Sequence, residues 1–339
     1  MDGIHLVMHL PRNEIPADDI IALSHELLLF QPTGFRSMPK ARQFKRLGSK
    51  TFWEQLRLNL SYDDKMHMDA HSGIYDRLFF RYEPVTDILA VFLYLKDDRY
   101  DAVQEIVQRF VQTHPVYSAA LRTGAESSWN SYVNFLRANE NQSVAKIKAE
   151  HPEITEVKLV YQNTTPPTPL IDNRQFAGYT TEFDGIWFGC TNEMWFGKGY
   201  DKYLPLQTLA AFTECANNET LRNGTVHITM YDTPDAFKEP ESQRRAWAFR
   251  ALTDYVNLAE AWRKRLAAAP ERRGFANMEI EDGSFPHGGC KRILTYLDET
   301  GRPVIRKKAS QVHISERGSD GTAVFEEIAP ITKHHKKGG

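Results

Sequence analysis

The chain has 339 residues, of which 41% are hydrophobic, 25% charged and 12% aromatic. This length exceeds what one hydrophobic core usually serves, and the composition is that of a globular protein, so two domains are expected and a disordered or fibrous chain is excluded. The 42 basic and 44 acidic side chains leave a formal charge of -2, with no overall field to draw the chain to nucleic acid, so no direct nucleic-acid role is expected.

The opening run Ile4 to Leu10 is apolar, interrupted by histidines and ended by Pro11. It predicts a strand and is too short and too polar for a signal peptide. No window offers the roughly 20 apolar residues that cross a bilayer, so no membrane partner is expected. Cys190, Cys215 and Cys290 are odd in number and lack a short CxxC spacing, which argues against a disulfide framework and a closed zinc site. A cytoplasmic location is expected.

A helix follows, with Asp18 and Asp19 near its start and Ile20, Leu23, Leu27 and Phe30 on one stripe. From Pro32 to Lys50 basic residues are scattered among Gly, Ser and Pro, predicting an exposed loop or short irregular helix. Met66 to His71, Arg77 to Arg81 and Ile88 to Leu95 have strand composition and suggest a hairpin or meander. Tyr100 to Val111 returns to helical spacing through Val103, Ile106, Val107 and Phe110, and a second helical stretch is expected around Ser128 to Arg137.

The polar stretch from Ala138 to Pro152 and the sequence NTTPPTP at 163–169 place an expected domain boundary near residue 150. Beyond it Val157 to Tyr161 predicts a strand. In Asp184 to Pro205 two WFG triplets, Trp187 to Gly189 and Trp195 to Gly197, flank Thr191, Asn192 and Glu193, and this reads as an aromatic hairpin. A short helix over Pro205 to Phe212, a strand over Thr225 to Tyr231 and one long helix over Glu239 to Leu266 follow. The long helix has Ala248, Leu252, Tyr255, Ala259, Trp262 and Leu266 on one face. After Pro270 short runs (Asn277 to Ile280, Arg292 to Leu297, Pro303 to Lys307, Gln311 to Ile314, Ala323 to Ile328) predict a small antiparallel sheet, and 333–339 is a polar tail. The expected fold is α+β in two domains, 1–150 and 151–332, each a mainly antiparallel sheet packed with helices.

The sharpest chemical hint is HMDAH. On a strand the period of two puts His67, Asp69 and His71 on one face, as metal ligands would be, and a solvated strand face is the plainer reading. In FPHGGC, His287 precedes Cys290 by three residues, which admits either an activated thiol or an ordinary Gly-rich turn. Glu182, Asp184 and Glu193 beside tryptophans could serve sugar binding or acid/base work, or lie at the edges of a packed hairpin. The basic residues of Glu239 to Leu266 alternate with acids, as on a solvated helix face. Phosphate-cradling GxxxxGK[ST] and GxGxxG motifs, GxSxG and HExxH are absent. No cofactor is implied.

The segment from Asp184 to Phe212, with its paired WFG triplets leading into GYDKYLP, and the strand Thr225 to Tyr231 resemble immunity proteins of bacterial polymorphic-toxin and type VI secretion systems. The resemblance reaches no further than Leu266. It implies a non-enzymatic antitoxin that binds a cognate effector, such as a nuclease, in the producing cell. Trp187, Trp195, Tyr200, Asp184 and Glu193 are the expected binding residues, with core packing the alternative for the aromatic ones. A nuclease partner would call for an acidic patch, for which Asp63, Asp64, Asp97, Asp98 and Glu182 are candidates. The alternative functions are a metal-dependent or cysteine-based hydrolase with scattered site residues, and a self-associating scaffold.

Overall fold

The computed structural model describes residues 3–40, 43–61, 66–73, 75–83, 87–97, 99–130, 140–152, 154–162, 168–183, 186–268, 277–281, 287, 289, 291–302, 304, 309–318 and 322–331. The fold is α+β, and the chain divides into two units, Met1–Ala259 and Glu260–Gly339.

In the first strand, β1 (Ile4–Pro11), Ile4, Leu6, Met8 and Leu10 are buried on one side and alternate with His5, Val7 and His9 on the other. That alternation sets the two faces of everything that pairs with it. Helix α1 (Ala17–Leu27) starts after Pro16 with two acids against its unpaired N–H groups. The basic stretch after it is not a loop but a hairpin, β2 (Gly34–Lys40) with β3 (Gln43–Leu47). Local composition hid it because the strands are amphipathic only relative to a sheet not yet formed. Helix α2 (Ser49–Ser61) was not legible at all. It buries Phe52, Leu56 and Leu60, one side chain per turn, and leaves Leu58 49% exposed. A meander, β4 (Met66–Ser72), β5 (Asp76–Glu83) and β6 (Ile88–Leu95), matches the expected strands and is followed by α3 (Tyr100–Thr113) and β7 (Ser118–Thr123).

Short α4 (Gly124–Trp129) is capped by Thr123, whose side chain accepts from the Glu126 N–H. Residues 131–139, most of the expected second helical stretch, lie outside the described residues. Helix α5 (Glu140–Glu150) and the pair β8 (Leu159–Gln162) and β9 (Thr168–Ile171) follow.

The WFG segment departs from the expected hairpin. Strand β11 (Ile186–Gly189) pairs with β10 (Thr180–Phe183), whereas β12 (Glu193–Phe196) inserts between β7 and β14 (Val226–Thr229) in the main sheet. The glycines are there for close approach: a Cβ on Gly197 would sit 1.9 Å from the Val116 carbonyl oxygen and one on Gly189 2.7 Å from Thr180. Helix α6 (Leu206–Ala210) and strand β13 (Asn217–Thr220) complete this part.

The expected long helix is two, α7 (Pro240–Thr253) and α8 (Tyr255–Ala268), separated at Asp254, whose backbone is left-handed with φ of 45°. The buried face of α7 is Ser242, Ala246, Phe249 and Thr253, and Leu252 is 47% exposed. The side chains of Trp262 and Leu266 lie outside the described residues.

The main sheet is ten-stranded and antiparallel, in the order β13-β14-β12-β7-β1-β6-β5-β4-β2-β3. One face is covered by α1, α2 and α3, whose Leu23, Leu27, Phe52, Leu56, Val103 and Val107 pack onto Leu6, Met8, Phe80, Val91 and Leu93. Each such side chain contributes about 1.5–3 kcal/mol on burial. The expected boundary near residue 150 falls inside the first unit, because Trp195 and Met194 of β12 pair with Ala119 and Ala120 of β7.

The second unit carries the predicted small sheet, β15 (Asn277–Glu281), β16 (Lys291–Leu297), β17 (Gln311–Arg317) and β18 (Ala323–Pro330), antiparallel in chain order. Of the expected run Pro303 to Lys307, only Val304 is described, and 332–339 lies outside. Among the described residues no helix is long and apolar enough to cross a membrane.

Candidate functional site

The face of the main sheet opposite α1–α3 is built from the alternate residues of each strand. Strand register lines up Arg36, Asp69, Phe79, Phe92, Val7, Ala120, Met194 and Ile228 in one cross-strand row. His71, Arg77, Tyr94, His5 and Arg122 form the next. At the β12–β14 end this face is buried: Phe196 lies 4.9 Å from Tyr200, 6.4 Å from Trp187 and 6.5 Å from Phe249, ring centre to ring centre. At the β4–β6 end it opens as a cavity of about 460 Å³ lined by Arg36, His67, Arg77, Phe79, Arg81, Phe92 and Tyr94. A second cavity, of about 170 Å³, adjoins it through the shared Phe92 and Tyr94 and runs past His5 and Arg122 to Trp187. Together they make one trough across β4, β5, β6, β1 and β7.

Asp69 organises its floor. The carboxylate is buried and receives Nε and Nη2 of Arg36 at 2.8 and 2.7 Å and Nε of Arg77 at 2.7 Å, with His71 Nδ1 3.4 Å away. Burial alone would raise its pKa, but the bonds to Arg36 and the charge of Arg77 outweigh this and hold it below the ordinary carboxylate value. Two guanidiniums lie on rings, that of Arg77 5.0 Å from the centre of Phe79 and that of Arg81 5.6 Å from the centre of Phe92. His67 packs edge-on against Phe79 at 4.4 Å, and burial together with Arg77 lowers its pKa, so at neutral pH it is uncharged. Burial, and secondarily Arg122, takes His5 down to about 4. The permanently cationic side chains that line the trough are therefore arginines.

The strand HMDAH does place its three polar side chains on one face, as its spacing predicts, but Asp69 is engaged by two arginines. Among the described residues no group of three or more His, Cys, Asp or Glu side chains is arranged to hold a metal ion. The FPHGGC histidine, His287, stacks on Phe325 at 3.6 Å and bonds to the buried Glu316, which also receives Arg292. Cys290 lies outside the described residues. Cys190 is a buried thiol whose pKa burial pushes well up, the opposite of an activated nucleophile.

The residues expected to bind behave in three ways. Trp187 lines the inner end of the trough. Trp195 and Tyr200 are core side chains: Trp195 donates to Gln108 at 2.7 Å and stacks on His227 at 4.7 Å, and Tyr200 packs between Phe188 and Phe196. Glu193 is buried on the helix side, 2.6 Å from His227 Nε2 and bonded to Thr229 and Gln104. Burial would lower the His227 pKa, but its bonds to Glu193 and Glu219 raise it. Asp184 lies outside the described residues, as do Asp63, Asp64 and Asp98 of the expected acidic patch. Asp97 is exposed, and Glu182 enters only through its strand pairing with Trp187.

Sequence reading missed the arginines. Arg36, Arg77 and Arg81 alternate with apolar residues at strand period, which was the available signal, but each looks like an ordinary solvent-facing strand residue until register gathers them.

Fold and site thus define an α+β protein with a basic, aromatic trough on one sheet face. No protein-family model and no curated protein matches the chain. Among solved structures it is similar to the Pseudomonas aeruginosa T6SS protein PA0821, with a TM-score of 0.40 and 8% sequence identity over 79% of this chain and 86% of that one. At that score and identity, no residue role passes from one chain to the other.

Proposed function

We propose that this chain is a non-enzymatic binding protein of the immunity type, which neutralises a cognate bacterial effector by direct association in the cell that makes both. The observation that carries the reading is the trough: rigid aromatic side chains and arginines, the residue types that dominate protein-binding energy, lie on a sheet face fixed by strand pairing from both sides. Around it no activated nucleophile is assembled among the described residues, and the ionised carboxylate in its floor is neutralised by Arg36 and Arg77. The WFG-containing segment, which resembles immunity proteins in sequence, supports the same role by framing the trough's inner end through Trp187.

The test is co-expression with the product of the adjacent reading frame. The expected outcome is a stoichiometric complex and restored growth of cells that the neighbour alone kills. A neighbour that is harmless, or whose toxicity persists although both chains accumulate, would overturn the proposal.

A further inference from the structure

The smaller cavity, of about 170 Å³, is lined from two sides, by β1, β6 and β7 of the main sheet and by the β10–β11 hairpin. Arg122 of β7 is the only cation among its described lining residues, since His5 is uncharged at neutral pH. One Nη of Arg122 donates to the neutral hydroxyl of Thr180 at 3.2 Å. Among the described residues no carboxylate comes within ion-pair distance, about 4 Å, of this guanidinium. Glu126, whose charge it feels from farther off, bonds instead to the Thr191 hydroxyl at 2.8 Å. Burial raises the Glu126 pKa to about 7, so near neutral pH even that distant charge is partial.

We infer that this cavity is a binding site for one carboxylate carried on a ring-sized apolar body, either a free aromatic acid or the carboxyl-terminal residue of a polypeptide. The site stands apart from the immunity role, because it is defined without an effector.

Charge gives the first argument. A guanidinium drawn out of water is stabilised by a directly bonded anion, and burial does push the Arg122 pKa down, against the opposing charges of Glu126 and Tyr94. A carboxylate against its N–H edge would supply that anion through paired bonds. Shape gives the second. Trp187, Phe92, Tyr94, Val7 and Ala120 provide apolar walls, and the volume is close to the roughly 150 Å³ that houses one benzene in an engineered cavity. Inorganic phosphate would satisfy Arg122 but leave those walls uncovered. Rigidity gives the third. His5, Val7, Phe92, Tyr94, Ala120 and Arg122 stand on three strands whose register is fixed by pairing, so little order remains to be imposed on binding.

The experiment uses the full chain, with calorimetry and saturation-transfer NMR. Its probes are benzoate, benzamide as the uncharged ring, inorganic phosphate as the charge without a ring, and N-acetyl-glycyl-phenylalanine as free acid and as amide. Saturable one-to-one binding of benzoate is expected, with benzamide and phosphate about tenfold weaker or worse. Arg122→Met should weaken benzoate about tenfold at an unchanged melting temperature, and Arg57→Met, on α2 and outside the cavity, should not. If Arg122→Met lowers the melting temperature, Val7→Phe decides instead, since it fills the cavity from β1, keeps the charge and should abolish binding. Absence of saturable binding of benzoate and of the peptide acid, benzamide bound as well as benzoate, or benzoate binding indifferent to both variants overturns the inference. Peptide acid bound more tightly than benzoate and lost on amidation assigns the carboxylate to a polypeptide end, whereas tighter benzoate assigns it to a free acid. None of these readouts involves an effector, so their failure leaves the immunity role standing. Arg122-dependent benzoate binding by a chain that neutralises no effector would overturn that role alone.

Discussion

The same sheet face is a core at one end and a surface at the other. Near β12 and β14 it bears Met194, Phe196 and Ile228 beneath Tyr200 and Phe249, all buried, and near β4 and β5 it bears Phe79 between Asp69 and Phe92, with Arg77 retaining 34% of its side-chain exposure. Both ends are aromatic, and both obey the same two-residue period. What differs is what the neighbours do with charge. At the covered end burial decides protonation, as for Glu126, while at the open end paired guanidiniums keep Asp69 ionised. Aromatic content alone therefore says nothing about which end is the site.

That contrast can be broken most directly by truncating a ring at each end. Phe196→Ala, at the covered end, removes a buried side chain and is expected to cost about 3–5 kcal/mol in urea unfolding, whereas Phe92→Ala at the open end should cost about 1 kcal/mol. Comparable losses at the two sites would mean that the trough is part of the core.

Protonation sharpens it next. Glu126 takes up a proton on folding between its ordinary value of 4.5 and about 7, so its contribution is greatest at low pH and is lost as pH rises through about 7. His227, whose pKa is raised chiefly by its bond to Glu193 against the opposing effect of burial, acts with the same sign, stabilising below its ordinary 6.5 and losing this as pH rises through its higher folded value. Glu126→Gln should therefore gain about 2–3 kcal/mol near pH 8, and less near pH 5, in parallel urea titrations. A variant no more stable than the parent at the higher pH would show that Glu126 is already solvated. On the acid side His5 and His9, lowered mainly by burial to about 4 and about 3, act oppositely, since their contribution is present above 6.5 and lost as pH falls.

The smallest effect belongs to the open end. Asp69→Asn leaves Arg36 and Arg77 with an unbalanced charge, but both are about a third exposed, so water takes up part of the cost and about 2 kcal/mol is expected rather than the larger penalty of a fully buried pair. Denaturation in high salt should narrow the difference. A variant as stable as the parent would show that the guanidiniums do not depend on this carboxylate.

Much of the fold was legible because it rests on short-range periodicity. β1, the β4–β6 meander, α1, α3 and the last sheet were all readable from side-chain spacing, as was the common face of His67, Asp69 and His71. The β2–β3 hairpin, the break at Asp254 and the fate of the WFG segment were not. A strand whose polar residues face a trough looks like a loop, a left-handed residue leaves little trace in composition, and the partner of a strand lies outside any local window. Trp195 and Tyr200 were expected to bind, with core packing as the alternative, and both are buried; the sequence could not say that Trp187 lines the trough while Trp195 belongs to the core.

By itself the sequence determined the class of fold, the alternation that gives each strand two unlike faces, and the near-balance of charge that denies the chain a long-range field. Only the tertiary structure decided that β12 leaves its neighbour β11 to pair with β7, which carries the main sheet across residue 150, and that Arg36, Arg77 and Arg81 share a trough with Phe79 and Phe92. The physical reason is that periodicity is written along the chain, over a few residues at a time. Register is set across it, by hydrogen bonds between strands whose order in the sheet is not their order in the sequence.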